Sequence, residues 1–322
     1  MDTPIIFWVA FNSGILGLLA FDLLVLHRRM REITFREAAL GSALWVTLSL
    51  SFCAFVWHWR GPQSGLQFLT GYLVEYSLSA DNIFVFVLIM TYFKVPKRLQ
   101  HRVLFWGVLG ALVMRGTMIG IGVFLVERFH WILYIFGLIL VASGIKMFCQ
   151  REEEELTPEH NPVIRLCKRC VPVTDRYQGG RFGVKRDGRL YLTPLAVVLI
   201  MVETTDLVFA IDSIPAIFAI TRDPFIVYTS NVCAILGLRS MYFMLAGAMH
   251  RFIFLKAGLS IILTFIGVKM VIMDFYKIPT EVSLTVVAAV LATAIVTSVI
   301  VTRHRGFRAR ATERKPKGQS HG

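Results

Sequence analysis

Apolar runs separated by short polar and basic segments fill the chain from end to end. Nine of these runs are long enough to cross about 30 Å of hydrocarbon. They lie at roughly 4–26, 38–57, 66–93, 103–126, 131–149, 192–221, 225–247, 257–273 and 280–302. Each is expected to be a helix, because an isolated strand leaves its backbone groups unsatisfied in lipid. The pattern predicts an all-α polytopic membrane protein of about nine transmembrane helices. Its transmembrane domain is 1-302, interrupted by a polar loop at 150-190. The stretch 303-322 reads as a basic, disordered tail. The N-terminus has no basic residue before its first apolar run, so that run reads as a retained span and not a signal peptide.

Composition agrees with this pattern. The chain has 322 residues, of which 56% are hydrophobic and 17% charged, and its mean hydropathy is +0.63. A soluble chain is about a quarter charged, so a cytosolic enzyme is excluded. Five cysteines make no disulfide framework. The formal charge of +13 raises the question of nucleic acid, but the cations answer it by position. The segments after the odd-numbered runs hold 26 Lys and Arg, against 4 on the opposite side (Arg60, Arg128, Arg222 and Lys277). This is the positive-inside bias, with the N-terminus outside and the C-terminus cytoplasmic. The charge needs no nucleic acid to explain it; the basic tail reads equally as a contact to anionic headgroups or as a solvated segment.

Three features recur in order. Glu75 and Asp81 stand six apart in run 3, as do Asp206 and Asp212 in run 6. Arg115 lies within Leu112-Val-Met-Arg-Gly116 and Arg239 within Leu236-Gly-Leu-Arg-Ser240. Gly144-Ile-Lys-Met147 answers Gly267-Val-Lys-Met270. The offsets are 131, 124 and 123 residues. A repeat of three helices (66-149 and 192-273) must cross the membrane in opposite senses in its two copies. An inverted repeat of runs 3–5 and 6–8 favours alternating access about a midplane site.

The chemistry lies in charges that lipid disfavours. Asp22, Glu75, Asp81, Glu203, Asp206 and Asp212 fall within runs, as do Arg115, Lys146, Arg239 and Lys269. Each costs roughly 2.5–3.5 kcal/mol at mid-bilayer, so they are expected to face the bundle interior and pair. One divalent cation or two protons would neutralise their surplus negative charge. Glu203 and Asp206 share a helix face. Asp206 and Asp212 stand about 120° apart in a straight helix, so they serve different partners unless the helix unwinds. Pro215 removes an amide donor and is a candidate for that distortion. Asn82 and Ser213 occupy matching places and could add oxygen ligands. Carboxylate, amide and hydroxyl suit Mn²⁺, Mg²⁺ or Ca²⁺ more than copper or zinc; chemistry alone does not separate these cations from one another or from Na⁺. The expected metal-binding residues are Glu75, Asp81, Asn82, Glu203, Asp206 and Asp212. Arg115, Arg239, Lys146 and Lys269 are the expected charge-pairing and gating residues.

Other signals are weaker. Cys167-x-x-Cys170 supplies two of the four ligands a zinc site uses, and Glu152–Glu155 reads as a solvated helix end. Gly116, Gly120 and Gly122 read as a close helix contact. No Walker A, His-Glu-x-x-His or Gly-x-Ser-x-Gly motif is present, so no enzyme and no permanently bound cofactor is expected.

The runs Val74-Glu-Tyr-Ser-Leu-Ser-Ala-Asp-Asn-Ile-Phe84, Val202–Phe218, Thr229–Phe243 and Asp274-Phe-Tyr-Lys-Ile-Pro279 resemble the signature stretches of the TerC family. The layout is most similar to its Alx-like branch, within the wider LysE-like transporter group, over about residues 5–302. The resemblance implies an inner-membrane exporter of Mn²⁺. It also implies links to tellurite resistance, alkaline response and manganese supply to exported proteins. It maps the motif acids onto Glu75, Asp81, Glu203, Asp206 and Asp212. The expectation is a secondary transporter exporting Mn²⁺ or a related divalent cation, coupled to protons. The rival is a membrane scaffold or metal-delivery partner whose activity sits in the loop and tail.

Overall fold

The computed structural model describes residues 3–21, 34–129, 131–149, 172–174, 176–186, 189–246 and 254–313. Asp22, Glu152–Glu155 and Cys167-x-x-Cys170 lie outside that set. Helices α1 (Ile5–Phe21), α2 (Phe35–Arg60), α3 (Pro62–Tyr92), α4 (Lys97–Arg128) and α5 (Ile132–Cys149) come first. Strands β1 (Gly183–Arg186) and β2 (Arg189–Leu192) follow. Then come α6 (Pro194–Phe218), α7 (Pro224–Leu236), α8 (Leu238–Leu245), α9 (Leu255–Val271) and α10 (Thr280–Glu313). Helices α7 and α8 meet at Gly237 as one interrupted helix. Nine helices thus succeed one another among the described residues. Six of them, α2 to α6 and α10, are long and apolar enough to cross a membrane by length and composition. The nine-run pattern is met in order, but α9 has only 17 residues, a rise of about 25 Å.

Local chemistry sets the boundaries. Thr34 and Glu37 form a capping box at the start of α2. Gly61 turns the chain from α2 into α3 at φ +91°, a conformation glycine tolerates, and Pro62 opens α3. Asp223 caps α7 by accepting from the amides of Phe225 and Ile226. The same residue takes an ion pair from Arg60 at 2.5 Å, which ties the end of α2 to the α6–α7 turn.

Two sequence expectations need correction. Part of the 150-190 loop is an antiparallel hairpin, pairing Gly183 with Leu192 and Arg186 with Arg189. The strands are separated in sequence by Asp187-Gly188, a strong hairpin signal that the apolar-run reading ignores. This segment is anchored to the bundle. The Tyr177 hydroxyl donates to the Phe93 carbonyl at 2.7 Å, and Phe182 packs edge-on to Trp106. The tail is also helical to Glu313, because propagation of an established helix is easier than nucleation.

Direct contacts fix the relative helix directions. Glycine 71 on α3 lies against Ile217 on α6, and Glu75 meets Arg115 together with Ser213. Helices α3 and α6 therefore run antiparallel. Gly137 of α5 faces Met270 and Val271 of α9, while Gly144 faces Ser260 and Thr264. That pair is antiparallel too. Gly116 and Gly120, by contrast, make no shared seam: Gly120 has no neighbour within 4 Å, whereas Gly122 accommodates Phe218. The apolar core forms two clusters, one around α2, α3, α7 and α8 with parts of α4 and α6, the other around α5, α6 and α9.

The α5–α9 contact rests on missing side chains. A Cβ at Gly267 would lie 2.7 Å from the Gly137 carbonyl and 2.8 Å from the Val141 amide. Gly267→Val is expected to destabilise the fold by about 1–3 kcal/mol through overpacking, read as a lowered unfolding temperature in detergent. An unchanged temperature would show that the two helices separate without loss.

Candidate functional site

Arg115 on α4 is 1% exposed, and the structure around it is built to hold its charge. Its Nη1 donates to Glu75 Oε1 from α3 and, at 3.2 Å, to the Ser213 hydroxyl from α6. Its Nε and Nη2 grip Asp206 at 3.2 and 3.0 Å. Glu75, Asp206 and Ser213 are each 2% exposed. A planar guanidinium with five donors can serve two carboxylates and a hydroxyl at once, which an ammonium at one point cannot. Asp206 and Ser213 meet the same arginine because a seven-residue step nearly closes two helical turns. Glu75 and Asp206 are also equivalent positions of the sequence repeat.

Beside this clamp is a cavity of about 20 Å³ lined by Glu203, Asp206, Arg239, Phe86, Val108 and Leu238. That volume holds one water-sized body. Glu203 and Asp206 both border it, as their three-residue spacing predicts, but the surface that opens into it is apolar. Among the described residues no hydrogen-bond donor meets the Glu203 carboxylate. Arg239, 7% exposed, follows the break at Gly237 that separates α7 from α8.

The remaining expected residues are placed elsewhere. Helix α6 is continuous from Pro194 to Phe218, and Pro215 sits inside it. The expected unwinding is therefore absent. Asp212 stays round the helix from Asp206 and accepts from the Ser143 hydroxyl of α5 at 2.7 Å. Lys146, one turn further along α5, acts on Asp212 electrostatically. Lys269 of α9 donates to the Ser283 hydroxyl of α10 at 2.7 Å, so the acid cluster is not its hydrogen-bond partner. Asn82 is buried on α3, seven residues from Glu75. Asp81 lies on α3 with its side chain outside the described set.

Among the described side chains, Glu75, Asn82, Glu203, Asp206 and Asp212 do not converge on one cage. Among the described residues no group of three or more His, Cys, Asp or Glu side chains could hold a metal ion. The reason is steric and angular. Arg115 fills the space between Glu75 and Asp206, and an unbroken α6 keeps Asp212 on another face. Sequence reasoning missed Ser143, whose only signal was its place beside the repeated Gly144-Ile-Lys146 run.

Arg115→Met leaves two buried carboxylates without their cation. The expected loss is about 3–5 kcal/mol of stability, measured by unfolding in detergent. Adding Glu75→Gln and Asp206→Asn is expected to recover part of it. Failure of the triple variant to exceed Arg115→Met would show that the charges are not what the arginine neutralises.

Comparison with known proteins bears on the same residues. The family described as "Integral membrane protein TerC family" matches residues 60–306. An "Uncharacterized membrane protein STKORF319" of Myxococcus xanthus is 52% identical over 297 residues, covering 92% of this chain and 93% of its own. Proteins with the printed name "Putative membrane-bound redox modulator Alx" are similar as well. The one from Escherichia coli K12 is 48% identical over 314 residues, covering 94% of this chain and 97% of its own. That of Salmonella typhi is 47% identical over 320 residues, covering 97% and 99%. No solved structure matches the chain.

Proposed function

Given that the chain belongs to the TerC family of integral membrane proteins, we propose that it is a secondary-active exporter of Mn²⁺ or a related divalent cation. The observation that carries this reading is the buried acid cluster itself: Arg115 neutralises Glu75 and Asp206, and Glu203 stands three residues from Asp206 on the same helix, beside a small cavity. Oxygen donors of this kind suit a hard divalent cation. Without cargo, Arg115 holds the two repeat-related acids. A cation entering the cavity takes Glu203 and Asp206 as ligands and loosens the hold of the guanidinium on Asp206.

Release follows from protonation, because a carboxylate that gains a proton loses the charge that binds metal. Protons are therefore the proposed counter-ion. Exchange between the two faces uses the repeat. Antiparallel pairing of α3 with α6 and of α5 with α9 supports an inverted arrangement in which one half rocks against the other. Arg239 is the proposed second gate residue. Cation-rich segments after the odd-numbered runs support a cytoplasmic C-terminus and export across the plasma membrane. In this reading the chain is no enzyme and carries no resident cofactor; Mn²⁺ is cargo. The printed name of the relatives speaks of redox, and Mn²⁺ is itself a redox-active ion, so control of its level is one route to that effect.

The test is Mn²⁺ flux into proteoliposomes of purified protein, wild type beside Glu203→Gln. Wild-type flux that follows an imposed pH gradient and falls at least about a hundredfold in the variant is expected, as for loss of an ionic ligand. Flux surviving in Glu203→Gln would remove this site. Absence of wild-type flux for Mn²⁺, Ca²⁺ and Mg²⁺ alike would turn the function toward a scaffold or delivery partner.

A further inference from the structure

Gly110 is on α4, and what stands against it is the carboxylate of Glu203. A Cβ built at position 110 would lie 2.5 Å from Glu203 Cδ and 2.7 Å from Oε2, with Oε1 nearer still. Real Cβ atoms do not approach other heavy atoms so closely. The absence of a side chain at 110 is therefore what makes room for this carboxylate on the flank of α4.

The other glycines of α4 differ in kind. Gly116 would meet a ring carbon of Tyr228 at 3.4 Å, an ordinary contact, and Gly122 would meet Phe218. Gly120 would meet nothing within 4 Å. At 110 alone among these the neighbour is a carboxylate, and its residue, Glu203, borders the cavity beside Asp206. The carboxylate is the far end of a flexible side chain, so a methyl group here displaces Glu203 without prying the helices apart. Glycine also lowers helix propensity by about 1 kcal/mol relative to alanine, which argues against helix formation as its purpose.

We propose that Gly110 is a positioning residue of the cation site: its bare backbone seats the Glu203 carboxylate against α4, on the same helix face as Asp206, and so sets the affinity for the divalent cation. This rests on the transport reading given above. The positioning itself does not, because it follows from the contact alone.

A double-substitution cycle tests it, with Mn²⁺ flux and Mn²⁺-dependent thermal stabilisation of the detergent-purified protein as readouts. Gly110→Ala is expected to raise the half-saturating Mn²⁺ concentration tenfold or more, with the maximal rate changed less. In a Glu203→Asp background, whose shorter side chain draws the carboxylate back, the same methyl is expected to change it less than twofold. Gly120→Ala, which adds a methyl to the same helix in open space, is expected to leave it unchanged. Equal effects of Gly110→Ala in both backgrounds would overturn the proposal, since helix packing would then account for them.

A third measurement separates this inference from the functional reading. Labelling by a lipid-soluble carbodiimide, followed by peptide mass spectrometry, reports the surroundings of Glu203 whether or not Mn²⁺ is carried. A changed labelling rate at Glu203 in Gly110→Ala, with Asp212 unchanged, supports the positioning role even if wild type neither binds nor carries Mn²⁺. An unchanged rate at Glu203 overturns it.

Discussion

A guanidinium buried at 1% exposure among three helices is the constraint to which the interior of this protein answers. Desolvating one cation and two carboxylates costs several kcal/mol per ion, and only good geometry repays it. Arg115 receives that geometry from α3 and α6: Glu75 on one side, Asp206 in a two-point grip, and Ser213 taking a remaining donor. Three segments far apart in the chain are thereby held in one register. Such a triad is more than packing. Two carboxylates sharing one arginine place more acid than base in the interior.

Close helix approach makes this arrangement possible. Glycines remove side chains where α5 meets α9 and where α4 meets α6. In lipid there is little hydrophobic drive between helices, so van der Waals contact and interior polar pairs do the holding. The helices are accordingly apolar on their outer faces, as at Val113, Leu138 and Val208, and keep a few buried polar groups such as Glu75, Arg115 and Asp206 within an otherwise apolar interior. The hairpin segment and the Arg60–Asp223 ion pair add fixed points beyond the helix interior. Asp212 and Lys269 belong to other contacts, with α5 and α10, and tie the site helices to their surroundings.

Much was legible from one sequence because lipid penalises charge so heavily. Apolar run length gave the order of the helices, and the rarity of intramembrane charge picked out Glu75, Arg115 and Asp206. The three-residue spacing placed Glu203 and Asp206 on one face. The readings that failed did so for reasons that are equally physical, as Pro215 and the loop show. Pro215 looked like a break, but it deprives only the Ile211 carbonyl of an amide donor, and α6 runs on through it to Phe218. The loop looked structureless because a hairpin of eight strand residues is a small signal beside spans of twenty or more.

The sequence by itself determined that the chain is a bundle of membrane helices and that Glu75, Arg115 and Asp206 lie inside it, though Lys146, also expected inside, is exposed. These depend on composition and spacing within a segment, where the period of the helix and the cost of burial leave few alternatives. Tertiary structure alone decided which acid meets which base. Arg115 chose Glu75 and Asp206 over Asp212 because an unbroken α6 turns Asp212 toward Ser143. The Glu203 carboxylate lies against α4 at Gly110, more than ninety positions away in the chain, which carries no side chain to refuse it. Contacts between segments so distant depend on helix rotation and depth, and no local pattern encodes those.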